Sequence, residues 1–134
     1  MTRFVDSNVF VYHLAADMAY GKRATAILKS IEDGEEAATS TLAAIQVCSY
    51  LKWKKAHEAI PSFLALLKSL TTLKKYETTI LDFEEAKRIQ SDLKLSWLYW
   101  DNALIAAQMK RLGITEIYSN DGDFDKFPQI KRIF

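Results

Sequence analysis

Four aspartates stand where short apolar runs end or where a helix opens, and they are spread over nearly the whole chain. Asp6 follows Arg3-Phe4-Val5 and leads into Ser7-Asn8. Asp101 sits in Trp100-Asp101-Asn102-Ala103-Leu104-Ile105-Ala106-Ala107. Asp121 and Asp123 lie in Ser119-Asn120-Asp121-Gly122-Asp123-Phe124, just after Ile114-Thr115-Glu116-Ile117-Tyr118. Carboxylates brought together repel one another, and one common reason to gather them is a hard divalent cation. Each acid also has an ordinary use. Asp6 suits a helix N-cap, Asp101 a first helical turn, and Asp121 and Asp123 a tight turn around Gly122. Their shared siting at strand ends favours the metal reading, because ligands of an open parallel sheet bind at the carboxyl ends of its strands.

The elements that must position them follow from local patterning. Met1 to Asp6 reads as a short strand, and Asn8 to Met18 as a helix with Ser7 as its N-cap. Ala24, Ile27, Leu28 and Ile31 form one stripe and predict a helix over residues 21–33, ended by Gly34. Residues 36–40 predict a second strand. Thr41 to His57 predicts a long helix, and Pro61 suits the first turn of the next, which carries Phe63, Leu64, Leu67 and Leu70. Tyr76 to Leu81 predicts a third strand, with Asp82 capping a helix through Leu93. Trp97 to Leu112 predicts a helix closed by Gly113, Ile114 to Tyr118 a strand, and Gln129 to Phe134 a last one. Strands separated by helices mean an α/β fold with a mainly parallel sheet and right-handed crossovers.

The chain has 134 residues, enough for one domain with a core, and 49% of them are hydrophobic. A net charge of +1 excludes a strongly basic coat but leaves room for a basic rim around an acidic centre. Cys48 is the only cysteine, so no internal disulfide forms and a reducing compartment is expected. No apolar run is long enough for a membrane helix, and the expected location is the cytoplasm.

With Asp6-Ser7-Asn8-Val9, the Asp101 segment and the Ser119–Phe124 segment in this order, the chain resembles the PIN-domain family. It is similar in particular to the small prokaryotic members, of which the toxin halves of VapBC toxin–antitoxin pairs are best known. The likeness extends over residues 1–134 as one PIN-like nuclease domain. It implies a parallel five-stranded sheet in the order 3-2-1-4-5 with helices on both faces. It further implies an acidic pocket binding Mg²⁺ or Mn²⁺, endoribonuclease activity on RNA, an antitoxin partner and a homodimer. On this likeness Asp6 and Asp101 are direct or water-bridged metal ligands, and Asp121 is the third carboxylate. Asp123 serves the outer ligand sphere or a second ion, while Asn8 and Ser119 orient ligands and waters. One position departs from the family pattern. Family members usually carry a glutamate in the helix after the second strand, where this chain has Gln46. Glutamine keeps an acceptor oxygen and loses the charge, so a second ion becomes harder to hold.

The remaining candidates have plainer readings. Asp82, Glu84 and Glu85 are expected to load the first turn of a helix. Lys22-Arg23, Lys52, Lys54-Lys55 and Lys110-Arg111 are solvated cations first and phosphate contacts second. Trp97, Tyr99 and Trp100 crowd the approach to Asp101; a stacking platform for bases is open to them, but core or dimer packing is favoured. His13 and His57 have no zinc-type spacing. Two further function classes compete. One is a catalytically weak PIN-like RNA-binding or scaffolding protein, suggested by Gln46. The other is a receiver-like or phosphatase fold, which wants paired acids after the first strand, where Asp6 stands alone.

Overall fold

The computed structural model describes residues 1–134. Its strands are β1 (Arg3–Val5), β2 (Ala37–Ser40), β3 (Leu73–Tyr76), β4 (Glu116–Tyr118) and β5 (Lys131–Ile133). Its helices are α1 (Ser7–Leu14), α2 (Gly21–Glu32), α3 (Thr41–Trp53), α4 (Ile60–Ser69), α5 (Ile80–Asp92) and α6 (Trp100–Leu112). The strands form one parallel sheet in the order β3-β2-β1-β4-β5, as the family resemblance implies. β1 is central, with Phe4 registered against Ala38 on one side and Ile117 on the other.

Alternation along the strands divides the interior into two cores. Val5, Ala37, Leu73 and Tyr118 meet Phe10, Ile31, Val47 and Phe63 from α1 to α4. Phe4, Ala38 and Ile117 meet Ala86 and Ile89 of α5, and Ile105 and Met109 of α6. Each such large side chain contributes about 1.5–3 kcal/mol by leaving water. The sheet is covered on both faces, and the carboxyl ends of β1 and β4 are left to carry the turns that hold the acids. No helix is long and apolar enough to cross a membrane.

Several boundaries differ from the sequence expectation. The third strand lies at Leu73–Tyr76, ahead of the expected 76–81. Thr78-Thr79-Ile80-Leu81 has strand-like residues, but the Thr79 hydroxyl accepts from the Asp82 N–H while the Asp82 carboxylate accepts from the Thr79 N–H. That capping box starts α5 at Ile80, so Thr79 and not Asp82 is the N-cap. β3 is an edge strand, where lysines such as Lys74 and Lys75 are tolerated and mask the pattern. Asp6, not Ser7, caps α1. α3 stops at Trp53 rather than His57, because Lys55 takes a left-handed backbone at φ 57°. Residues 97–99 form a separate 3-10 turn before α6. Gly113 closes α6 at φ 70°, a conformation that favours glycine.

Candidate functional site

A cavity of about 380 Å³ opens at the carboxyl end of the sheet, lined by Asp6, Asn8, Gln46, Asp101 and Asp121 with seven other residues. Asp6 comes from the β1–α1 turn, Gln46 from α3, Asp101 from the first turn of α6, and Asp121 from the turn after β4. Ninety-five residues of sequence separate the first acid from Asp101 (6 to 101), and the parallel topology brings both to one mouth.

Ser119 is the hub of the arrangement, although it lies behind the cavity wall, fully buried. Its hydroxyl donates to Asp6 Oδ2 at 2.7 Å and accepts from Asn8 Nδ2 at 3.3 Å and from the Asp121 N–H at 3.0 Å. A hydroxyl has one hydrogen to give and two lone pairs, so Ser119 is fully used in tying three site residues together. Asp6 Oδ1 accepts from the Ser7 N–H at 2.8 Å. Its capping role and its place in the cavity therefore coexist. Asp121 is gripped in turn: Asn102 Nδ2 donates to its Oδ2 at 2.9 Å, and the Asp123 N–H donates to its Oδ1 at 3.0 Å.

Asp6 is buried with no cationic side chain beside it. Burial pushes its carboxyl above the ordinary range; the hydrogen bonds from Ser119 and Ser7 offset part of this, and the neighbouring Asp121 adds to it. Two acceptors nearby have no donor: Asn8 Oδ1 and Gln46 Oε1 are both buried without a hydrogen-bond partner. Buried anionic and unpaired neutral oxygens around one hollow fit a hard cation that prefers oxygen. No three His, Cys, Asp or Glu side chains are gathered tightly enough to encage an ion alone. A Mg²⁺-type site would not need such a cage, since it uses one or two carboxylates and keeps several waters.

Of the residues singled out from the sequence, Asp6, Asn8, Gln46, Asp101 and Asp121 share the cavity, and Ser119 supports it. Asp123 does not line it; its backbone N–H holds Asp121 instead. Sequence reasoning assigned nothing to Asn102, Tyr12 or Leu98. Asn102 follows Asp101 about 100° round the helix, so it turns inward to Asp121 while Asp101 stays open to solvent. Adjacency to a candidate ligand was the available signal. Tyr12 and Leu98 come to the rim through tertiary packing alone. Asp82, expected only to cap and load the first turn of its helix, is also buried and paired with Arg111 through Nε to Oδ1 at 2.7 Å and Nη2 to Oδ2 at 3.0 Å. Lys110 likewise engages Glu85 at 2.6 Å rather than only facing solvent.

The model of the PIN domain matches residues 3–130. The chain belongs to the PIN-domain family. It is 31% identical over 131 residues to Ribonuclease VapC13 of Mycobacterium tuberculosis, covering 96% of this chain and 97% of that one. The crystal structure of M. tuberculosis VapC20, a Sarcin-Ricin loop cleaving toxin, superposes at a TM-score of 0.74 with 21% identity, over 93% of each chain. VapBC2 from Rickettsia felis, solved bound to a promoter DNA fragment, superposes at 0.72 with 14% identity, over 99% of this chain and 98% of that one. At those identities the structural likeness speaks for the PIN fold, and the sequence matches carry the family.

Proposed function

We propose that residues 1–134 form one nuclease domain that cuts RNA phosphodiesters with Mg²⁺ or Mn²⁺, as the toxin of a toxin–antitoxin pair. The observation that carries this is the meeting of Asp6, Asp101 and Asp121, from three separate elements, on one cavity. PIN-family membership and a relative named as a ribonuclease support RNA as the substrate. Fold neighbours named as a toxin and as a VapBC assembly support an antitoxin partner.

Asp6 and Asp101 would hold the ion, directly or through water, with Asp121 completing the anionic wall. When bound, the cation lowers the pKa of water and neutralises charge on the scissile phosphate. Ser119 keeps Asp6 turned to the cavity, and Asn102 keeps Asp121 there. Asp123, which does not line the cavity, positions Asp121 through its backbone N–H. Asn8 and Gln46 offer neutral oxygens to waters. An anionic cavity repels RNA until a cation enters, so cleavage should depend wholly on added metal. The proposed assembly is a homodimer, supported by large exposed apolar side chains such as Ile45, Trp53 and Ile80.

Gln46 favours a second reading, a PIN-like RNA-binding protein with little catalysis. Calorimetric titration of Mg²⁺ and Mn²⁺, beside RNA cleavage by wild type and by Asp6→Asn, separates the two. The nuclease reading expects metal binding and cleavage that both collapse in Asp6→Asn. Metal binding without cleavage in the wild type supports the binding protein, and cleavage persisting in Asp6→Asn removes this cavity from the chemistry.

A further inference from the structure

The 3-10 turn Trp97–Tyr99 separates the acidic cavity from a second one. Leu98, 89% exposed, lines the acidic cavity. Trp97, one residue earlier and 66% exposed, lines a neighbouring hollow of about 340 Å³ with Lys87, Gln90, Ser91, Lys94 and Leu95. Core packing accounts for Trp100, which is half-buried in the second core, but not for Trp97. The Trp97 indole is braced on that neighbour, with ring centroids 5.6 Å apart, and Trp100 is braced on Phe83 at 6.3 Å.

The hollow is built rather than incidental. Gln90 is buried, and its Nε2 donates to the carbonyls of Leu95 and Ser96 at 2.7 and 2.6 Å, which fixes the loop that presents Trp97. Gln90 Oε1 is left buried without a partner. Lys87 and Lys94 are exposed and enter no ion pair, whereas Glu85 on the same helix is taken by Arg88 and Lys110. Across the turn, the Lys126 ammonium stands 5.0 Å from the Tyr99 ring centre. Unpaired ammonium groups call for an anion, and a braced, exposed indole calls for a flat apolar ring. Single-stranded nucleic acid supplies both in alternation.

We propose that Trp97, Lys87 and Lys94 form an RNA subsite beside the acidic cavity. The indole stacks on an unpaired base close to the scissile phosphate, and the two lysines hold flanking backbone phosphates. The strand then passes over Leu98 to reach Asp101. This rests on the reading of the chain as a ribonuclease and names where its substrate is gripped. A second copy of the chain covering Trp97 is the competing occupant; it would have to leave Lys87 and Lys94 facing an anionic surface of its own.

The test is binding of a fluorescein-labelled, 2′-O-methyl single-stranded RNA octamer of mixed sequence, which resists cleavage. Anisotropy is read at saturating Mg²⁺ over a range of salt, with sedimentation and thermal melts as controls. Trp97→Ala is expected to weaken binding on the order of tenfold, and Trp97→Phe to keep most of it. The double variant Lys87→Ala/Lys94→Ala is expected to flatten the slope of log K against log salt by about 1.4. All these side chains are exposed, so melts should match wild type. Unchanged affinity in Trp97→Ala, an unchanged salt slope in the lysine variant, or no binding by wild type overturns the subsite. So does a Trp97→Ala variant that shifts the monomer–dimer equilibrium while binding RNA normally. Cleavage of unmodified RNA is scored separately. Binding through Trp97 without any cleavage overturns the ribonuclease reading and leaves the subsite standing, whereas cleavage indifferent to Trp97 overturns the subsite alone.

Discussion

Asp6 and Asp82 are two buried carboxylates at helix starts, and their surroundings could hardly differ more. Asp82 is buried like Asp6, and burial alone would raise its carboxyl; the Arg111 fork and the Thr79 N–H more than offset that and hold it below the ordinary range. Asp6 has only neutral donors and another acid for company, and its carboxyl is pushed up. The chain supplies its own cation where a carboxylate serves the fold. It supplies none at Asp6, the carboxylate proposed to serve a ligand. A buried acid without a cation is costly to keep ionised, and binding energy from an incoming ion is what can offset the cost.

Removing the acid that lacks a cation should have the largest effect. Asp6→Asn is expected to lower RNA cleavage at least about 100-fold, since transition-state charge loses several kcal/mol of stabilisation. The same variant should lose the metal-induced rise in melting temperature shown by wild type, which at tenfold excess over Kd corresponds to about 1.4 kcal/mol. A variant that cuts and is stabilised by metal as before would erase the contrast with Asp82.

Arg111→Ala strands Asp82 and should cost about 2 kcal/mol in urea unfolding; the figure is below that of a fully buried pair because Arg111 is 37% exposed. Adding Asp82→Asn to it should return part of the loss. A change below about 0.5 kcal/mol would class the pair with ordinary surface ion pairs. Gln46→Glu puts a charge where the cavity has a neutral oxygen. On the order of tenfold tighter Mn²⁺ binding and faster cleavage are expected, and unchanged values would remove Gln46 from the ion's surroundings.

The smallest effect is on pH dependence. The folded-state pKa of Asp82 lies below its unfolded value of about 3.9, so its contribution is fully present above that value. It is lost as pH falls through the lower, folded-state pKa. Acid unfolding of Asp82→Asn should therefore be less steep below about pH 4 than that of wild type, and superimposable acid limbs would show that Asp82 gains nothing from Arg111.

Much of this is legible in the sequence. The Ala24-Ile27-Leu28-Ile31 stripe marks α2 to within a residue, because a helix must turn one face to the core. The three motif segments point to a PIN fold and to Asp6, Asp101 and Asp121 together. The third strand was displaced because a capping box beats β propensity at Thr79, and an edge strand rich in lysine hides its pattern. Asp82 reads from its neighbours only as a helix-start acid, because nothing local announces that Arg111, 29 residues away, crosses over to it.

The sequence by itself determined the alternating strands and helices, the acids at their junctions, the sheet order carried by family likeness, and the neutral glutamine among the acids. These are local or motif-borne properties, set by side-chain period, turn chemistry and short spacing. Only the tertiary structure decided which carboxylate has a cation, that Ser119 and Asn102 hold the acids in place, and that Trp97 stands outside the core beside two free lysines. Burial and pairing depend on what arrives from distant elements, and packing of the whole chain chooses those neighbours.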